Sequence, residues 1–211
     1  GLTELFREKI SSSRLIANPG CYPTSILLPL IPLCKEGIID LKGIIIDSKS
    51  GVTGAGRSLK QSSLFAEVSE GVHAYGVGFH RHNSEIQQEI NKVTNKKVDF
   101  IFTPHLSPMF RGILSTLYIS TKKGISINKI HNCLNSFFRK SEFVKIMKVN
   151  SLIGTNAVMN TNKCIISVCK TKQKNKFVIL SCLDNLIKGG SGQAIQNMNL
   201  KFNFPSSRGL K

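Results

Sequence analysis

Apolar and polar positions recur with clear periods along the chain, and they predict both helices and strands. The apolar run after Cys21 predicts a helix through Leu28 and beyond. In residues 82–93 the apolar side chains recur every three or four positions, as on one face of a helix, and Glu85 falls outside that face. This pattern is typical of a surface helix packed on a core.

The other elements follow from apolar runs that are bounded by turn residues. Helices are predicted at residues 125–139 and 192–199, a short helix or connector at 2–12, and strands at 15–17, 42–48, 98–103, 113–121, 164–169 and 177–182. Pro104 and Pro108 are predicted to lie in the loop after the strand at 98–103. Because helices and strands do not alternate strictly, the pattern favours an α+β domain with a mixed sheet.

Composition adds limits on what the chain can do. Its 211 residues are 41% hydrophobic, which is enough for one sizeable domain. The formal net charge of +17 suggests an anionic partner, but the lysines are scattered and no aromatic residues alternate with them to stack on bases. We therefore predict no nucleic-acid binding. No apolar run reaches the roughly 18 residues of a membrane helix, and the polar first ten residues are unlike a signal peptide.

The six cysteines indicate a reduced protein. They include no CxxC pair, so neither a disulfide framework nor a zinc site is expected, and the cytoplasm is the predicted location. Cys21 differs from the other five because it follows Pro19-Gly20 and opens the predicted helix. A helix N-terminus stabilises a thiolate, lowers its pKa and offers N–H groups to an oxyanion, as a nucleophile requires. A buried cysteine at a tight turn fits the local sequence equally well.

Two of the five histidines are candidates for proton transfer. His80 and His82 flank Arg81 just before a predicted helix, and an imidazole close to Cys21 could exchange a proton near neutral pH. His131 and His73 have no second histidine or arginine beside them, and we interpret His131 as structural and His73 as a loop residue. A metal site at His80 and His82 is less favoured, because no third ligand stands at a standard spacing.

Three loops could bind anions or approach a cofactor closely. The loop at residues 50–57 offers backbone N–H groups, hydroxyls and Arg57, although it has neither the P-loop ending nor the GxGxxG spacing. A second loop carries Arg111, and a rigid turn with an exposed arginine is an equally good interpretation of it. The third, at residues 188–194, is a glycine-rich entry to the last helix.

Five segments, taken together and in this order, resemble the N-acetyl-gamma-glutamyl-phosphate reductases of arginine biosynthesis. They are residues 18–24 (NPGCYPT), 47–57 (DSKSGVTGAGR), 74–82 (AYGVGFHRH), 102–112 (FTPHLSPMFRG) and 184–199 (DNLIKGGSGQAIQNMN). The resemblance implies the C-terminal catalytic domain of the glyceraldehyde-3-phosphate dehydrogenase-like enzymes, in which a mixed sheet carries helices on one face. It also implies a homo-oligomer.

The resemblance further implies a reaction and a role for individual residues. The thiolate of Cys21 would attack N-acetyl-gamma-glutamyl phosphate, and the resulting thioester would be reduced with NADPH to N-acetylglutamate semialdehyde, without a metal. His80 is the expected acid–base partner and His82 the fallback. The residues expected to contact the substrate are Ser50, Arg57, Tyr75 and Arg111, and those expected near the nicotinamide of the cofactor are Asn185, Gly189, Gly190 and Gly192.

The chain departs from this family at its N-terminal end. Family members carry a Rossmann half with a glycine fingerprint, which we expect to be missing here. Residues 1–17 are then a connector or remnant of that half, residues 18–185 the catalytic and dimerisation domain, and residues 186–211 a helix and tail that pack on the dinucleotide-binding domain. A separate Rossmann chain could complete the enzyme. The alternatives are a non-catalytic interaction module and a reductase of the aspartate-semialdehyde dehydrogenase type.

Overall fold

A seven-stranded mixed sheet forms the centre of the molecule. The computed structural model describes residues 1–56, 58 and 61–211. The strands are β1 (Ile44–Ser50), β2 (His73–Ala74), β3 (Phe100–Leu106), β4 (Ile113–Ser120), β5 (Val144–Ile146), β6 (Cys164–Lys170) and β7 (Lys176–Leu183). They lie in the order β2-β3-β1-β4-β7-β6-β5, with parallel pairs at β1–β3 and β5–β6. The predicted mixed sheet is confirmed.

Six α-helices accompany this sheet in the described residues. They are α1 (Arg7–Ser12), α2 (Cys21–Lys35), α3 (Phe65–Val68), α4 (His82–Thr94), α5 (Ile127–Phe138) and α6 (Gly192–Lys201). Single turns lie at Val52–Ala55, Gln61–Ser63 and Thr155–Ala157, and a π-helical turn at Ile187–Ser191 leads into α6. The helices predicted from Cys21 and over 82–93 are thereby confirmed.

The helix α2 is the centre of the core because it is apolar on all sides. Every residue from Tyr22 to Cys34 is buried, as expected of a helix without a polar face. The helix packs on β4 and β7 and is itself covered by α4 and α5, while α5 also packs on β5 and β6. Pro29 and Pro32 are accommodated within it. These contacts place α2, α4 and α5 together on one face of the sheet, as the resemblance implied.

Three details differ from the sequence prediction. Residues 15–17 form no strand, and Leu15 is 91% exposed, because the segment crosses the surface outside the sheet. Pro104 lies inside β3 and not in the following loop, since its carbonyl oxygen accepts a hydrogen bond from Tyr75 N beyond the end of β2. The short strands β2 and β5 escaped prediction because two or three residues are too few to show a period.

The two ends of the chain pack against each other. Helix α1 contacts α6, and Thr3 donates a hydrogen bond of 2.6 Å to the side-chain oxygen of Asn197. Gln193 and Asn197 both donate to the carbonyl oxygen of Gly1. The predicted domain boundaries at residues 17 and 185 stay a prediction. Among the described residues, no helix combines the length and the apolar character needed to cross a membrane.

Candidate active site

Cys21 is the first residue of α2, as the sequence predicts. Gly20 is the N-cap in an extended conformation, and its N–H donates a hydrogen bond of 3.0 Å to the carboxylate of Glu85. The carbonyl oxygen of Gly20 accepts hydrogen bonds from both the N–H and the hydroxyl of Thr24. The turn before the sulfur is therefore held from two sides, and Glu85, which was expected outside the helix face, is half-buried for this reason.

The charge state of Cys21 differs from the expectation. Burial raises the pKa of its thiol, whereas the N–H groups of Tyr22 and Cys21 and the guanidinium of Arg81 lower it. The burial effect is the largest, so the thiol pKa lies above its ordinary value, and the expected lowering of the pKa is wrong for this chain. The helix start and the arginine act in the expected direction but do not outweigh desolvation. The thiol therefore needs a proton acceptor to become a nucleophile.

The turn Ile187–Ser191 lies directly on Cys21. A Cβ placed on Gly189 would lie 2.7 Å from the Cβ of Cys21 and 3.1 Å from its Cα, closer than real side chains come. Gly190 is linked to the turn before the cysteine, since its carbonyl oxygen accepts a hydrogen bond from the side-chain amide of Asn18. Glycine at position 189 thus allows the backbone to support the nucleophile, which is a reason for this residue that the sequence did not reveal.

The ring of His82 lies against the residue before Cys21, and the ring of His80 packs beside it. A Cβ on Gly20 would lie 2.4 Å from Nε2 of His82, so this ring covers the residue before Cys21. The rings of His80 and His82 are 4.8 Å apart, and Tyr22 makes edge contacts with both. The two imidazoles therefore lie together next to the residue before Cys21, and their proton exchange with the thiol stays a prediction.

The environment keeps both imidazoles neutral. Burial, with His80 and Arg81 nearby, lowers the pKa of His82 to about 4. Burial and Arg81 also lower the pKa of His80, which is half-buried. Nδ1 of His80 accepts a hydrogen bond of 3.2 Å from His82 N, so the neutral ring carries its own proton on Nε2 and can take up a further proton only at Nδ1. A neutral imidazole can accept a proton at neutral pH.

A cavity of about 580 Å³ opens beside these groups. It is lined by Gly54, Ala55, Ser63, Glu67, His73, Ala74, Tyr75, His80, Arg81 and Leu106. The hydroxyls of Tyr75 and Tyr22 are 2.9 Å apart, and burial raises the pKa of both phenols, so both stay protonated near neutral pH. Tyr22, which no motif argument singled out, thereby connects the cavity to the helix of Cys21.

The residues expected to bind substrate anions have different surroundings. Ser50 is buried at the end of β1, where its hydroxyl donates to the carbonyl oxygen of Gly51. The guanidinium of Arg111 donates to Asn160 and lies 3.7 Å from the buried carboxylate of Asp184. Arg57 lies outside the described residues. The substrate contacts proposed for these three residues stay predictions.

Asn185 holds two loops together. Its side-chain oxygen accepts a hydrogen bond of 2.7 Å from Gly112 N, and its amide nitrogen donates to Thr53. Asp184 fastens the following turn, because its carboxylate accepts hydrogen bonds from Leu186 N and Ile187 N. The sequence could have indicated this role of Asp184, since a carboxylate just before a helical turn commonly caps it.

Gly192, which was expected near the cofactor, lies in a space too small for any larger side chain. A Cβ on Gly192 would lie 2.4 Å from the side-chain oxygen of Asn162 and 2.6 Å from Ile187. No group of three or more metal-ligating side chains forms within the described ranges. Contacts of Asn185, Gly189, Gly190 and Gly192 with a cofactor stay predictions.

Known proteins resemble this chain in sequence and in fold. Residues 21–185 match the family described as the semialdehyde dehydrogenase, dimerisation domain. The chain is 50% identical over 211 residues to the N-acetyl-gamma-glutamyl-phosphate reductase of Pelobacter propionicus, covering all of this chain and 61% of that protein. It is 46% identical over 210 residues to a probable chloroplastic N-acetyl-gamma-glutamyl-phosphate reductase of Arabidopsis thaliana, covering 100% of this chain and 52% of that protein.

Solved structures share the fold at low sequence identity. Aspartate semialdehyde dehydrogenase II from Vibrio cholerae superposes with a TM-score of 0.76 at 15% identity, over 96% of this chain and 68% of that one. A probable aspartate-semialdehyde dehydrogenase from Pseudomonas aeruginosa gives a TM-score of 0.71 at 12% identity, over 94% and 66%. The chain thus spans about three fifths of the Pelobacter relative and two thirds of these structures.

Proposed function

Since the chain belongs to the family of semialdehyde dehydrogenase dimerisation domains, we propose that it carries the acylation site of an N-acetyl-gamma-glutamyl-phosphate reductase. The position of Cys21 at the start of a buried helix, with the ring of His82 against the preceding Gly20 and His80 beside it, supports this proposal best. Sequence identity of 44–50% to eight reductases of this name supports the substrate. We propose the reductase activity, this substrate and the use of NADPH for the whole protein, whether this chain is all of it or only a part.

In the proposed reaction Cys21 forms a bond to the gamma-carbonyl carbon of the acyl phosphate. The thiol proton passes to the unprotonated ring nitrogen of His80 once the hydrogen bond from His82 N to that nitrogen is released, and the bond from the carbonyl carbon to the phosphate oxygen breaks, so that phosphate leaves and a thioester remains on the sulfur. The N–H groups at the start of α2 support the carbonyl oxygen while it carries negative charge. Because the thiol pKa is raised, the sulfur becomes a nucleophile through this transfer of its proton to the imidazole.

The turn at Ile187–Ser191 fits the approach of a flat cofactor ring. Gly189 is buried against Cys21, while Gly190 and Ser191 are more exposed, so small residues face outward next to the sulfur. Gly190 would hold the nicotinamide end, with Asn185 keeping the neighbouring loops in place. When bound, NADPH would supply the hydride that reduces the thioester. Binding of its remaining parts is proposed to need a dinucleotide-binding domain, within the same protein or as a separate chain.

A thioester-trapping experiment tests the acylation step without any cofactor. The chain is mixed with N-acetyl-gamma-glutamyl phosphate, quenched in acid and analysed by peptide mass spectrometry. We expect acylation at Cys21, none in Cys21→Ser, and unchanged acylation in Cys133→Ser, whose thiol is also half-buried. Absence of the Cys21 adduct would contradict the reductase and favour a non-catalytic interaction module. Faster acylation by aspartyl phosphate would instead favour an aspartate-semialdehyde dehydrogenase-type enzyme.

A turnover assay on this chain supplies a dinucleotide-binding domain as a second polypeptide. We expect NADPH oxidation that depends on both chains and on the acyl phosphate, and that falls at least a hundredfold in His80→Asn if this imidazole transfers the proton. A smaller effect there than in His82→Asn would assign the proton transfer to the fallback residue.

We also propose that the chain forms a homo-oligomer through the open face of its sheet. Ile45, Ile101 and Tyr118 are 45–59% exposed and lie side by side across β1, β3 and β4, where the register pairs Ile45 with both others. Such a contiguous apolar patch favours association. In sedimentation experiments Ile101→Lys should shift the protein to the monomer, whereas Phe137→Lys, on the opposite side of the sheet, should not.

A further inference from the structure

Arg81 is a cation that faces the cavity of the candidate active site. It lies between His80 and His82 at the N-cap of α4, is exposed, and lines the cavity of about 580 Å³ together with Tyr75. In residues 1–56 and 61–211 no carboxylate lies within 4 Å of its guanidinium, so the structure forms no salt bridge with it there. A guanidinium with free donors in a concave site is suited to a planar oxyanion.

Two carboxylates share the surroundings of Arg81, namely Glu67 in the cavity lining and Glu85, on which the charge of Arg81 acts, but neither lies within 4 Å of its guanidinium. His73 also lines the cavity, and its Nε2 forms a hydrogen bond of 3.0 Å with the backbone carbonyl oxygen of Glu67. Arg111 is engaged with Asn160 and Asp184 and is absent from the lining. Arg81 lies in the same cavity lining as Tyr75, whose hydroxyl is 2.9 Å from that of Tyr22, the residue after Cys21, and this places the guanidinium on the side of the cavity that leads to the sulfur.

We propose that Arg81 forms an oxyanion-binding subsite beside Cys21, which holds a phosphate or carboxylate group of the substrate. The inference rests on the proposed function for the identity of the substrate, but the anion site itself does not depend on turnover. Arg81 then orients the anionic group next to the nucleophile, with two parallel hydrogen bonds that a lysine could not form.

Paired alkylating reagents test this subsite on the whole chain. Iodoacetate carries a carboxylate and iodoacetamide does not, so the ratio of their rate constants at Cys21 reports the local positive charge and cancels changes in the thiol pKa. Modification of Cys21 is followed by peptide mass spectrometry. We expect Arg81→Gln to lower the iodoacetate-to-iodoacetamide ratio about three- to tenfold, as for one unit charge at several ångströms in a partly solvated site.

Matched variants and competing anions complete the test. Arg139→Gln, at the end of α5, should leave the ratio unchanged, and Arg81→Lys should keep most of it. At constant ionic strength, protection of Cys21 by inorganic phosphate alone would identify a phosphate subsite, and protection by acetate alone a carboxylate subsite. Equal ratios in the wild type and Arg81→Gln, or protection by neither anion, would overturn the proposal.

The outcome can be separated from that of the proposed reaction. If Cys21 forms no thioester but the reagent ratio falls in Arg81→Gln, the anion site stands and the reductase does not. If the thioester forms and the ratio is unchanged, the reductase stands and the role of Arg81 is refuted. If Arg81→Gln does not fold, Arg81→Lys decides the question: loss of protection by whichever anion protects the wild type supports the subsite, and unchanged protection refutes it, because that variant retains the charge but not the planar donor pair.

Discussion

A buried ion pair joins the first residues of the chain to the turn under the nucleophile. Nζ of Lys188 donates a hydrogen bond of 2.6 Å to the carboxylate of Glu4, and the two side chains are 0% and 5% exposed. Gln196 bridges them, accepting from Lys188 and donating to Glu4. Since Lys188 precedes Gly189, the pair also anchors the segment that lies on Cys21.

Removing one charge of this pair should lower the free energy of unfolding substantially. In Glu4→Gln the ammonium of Lys188 stays in the interior without a counterion, and breaking a buried pair from one side costs about 3–5 kcal/mol. That is a large part of the roughly 5–15 kcal/mol that stabilises an ordinary domain. The double variant Glu4→Gln/Lys188→Met should recover most of the loss, because no unpaired charge is then buried.

Urea unfolding followed by circular dichroism measures the effect. With a slope of about 2 kcal/mol per molar urea, the midpoint of Glu4→Gln should fall by about 2 M at unchanged slope. The matched control is Glu89→Gln, which breaks the surface pair with Lys92, a side chain that is 59% exposed. This change should cost about 0.5 kcal/mol or less. Equal midpoints for the two single variants would refute the argument, as would a double variant no more stable than Glu4→Gln.

The same pair predicts a pH dependence with a definite sign. Burial acts to raise the pKa of Glu4, but the charge and hydrogen bond of Lys188, together with the hydrogen bonds from Gln196 and the backbone, outweigh it, so the pKa lies below its ordinary value of 4.5. The unfolded chain therefore binds the proton more tightly than the folded one. The stabilisation is complete above pH 4.5 and is lost as the pH falls through the lower folded value. Glu4→Gln should remove this part of the acid destabilisation.

Three further predictions concern the site. Gly189→Ala should lower the free energy of unfolding by about 1–3 kcal/mol, because the new Cβ would lie 2.7 Å from that of Cys21. It should also slow the alkylation of Cys21 by iodoacetamide, and an unchanged rate would contradict the contact. His82, with its folded pKa lowered from 6.5 to about 4, should destabilise the fold as the pH falls from 6.5 to 4, and His82→Gln should flatten that decline in the urea midpoint. Asn185→Ala should cost about 1–3 kcal/mol in urea unfolding because Gly112 N loses its acceptor, and a loss below 0.5 kcal/mol would argue against this hydrogen bond.

Local sequence determined the parts of the site that depend on neighbouring residues. Pro19-Gly20 before an apolar run predicted a helix that starts at Cys21, and this is where α2 begins. The period over residues 82–93 predicted α4, which places His82 in its first turn. The mixed sheet likewise followed from the order of the apolar runs. These features need only the covalent geometry of a short segment and the burial of its apolar side.

The tertiary structure alone decided which distant residues meet and how their charges behave. The pairing of Glu4 with Lys188 spans 184 positions, and neither periodicity nor composition indicates it. Desolvation of Cys21, which reverses the expected direction of its pKa, depends on everything packed around the sulfur. The need for glycine at position 189 arises from a second segment lying against it. Long-range packing sets these properties because burial and close contact belong to the assembled core, which no single stretch of sequence contains.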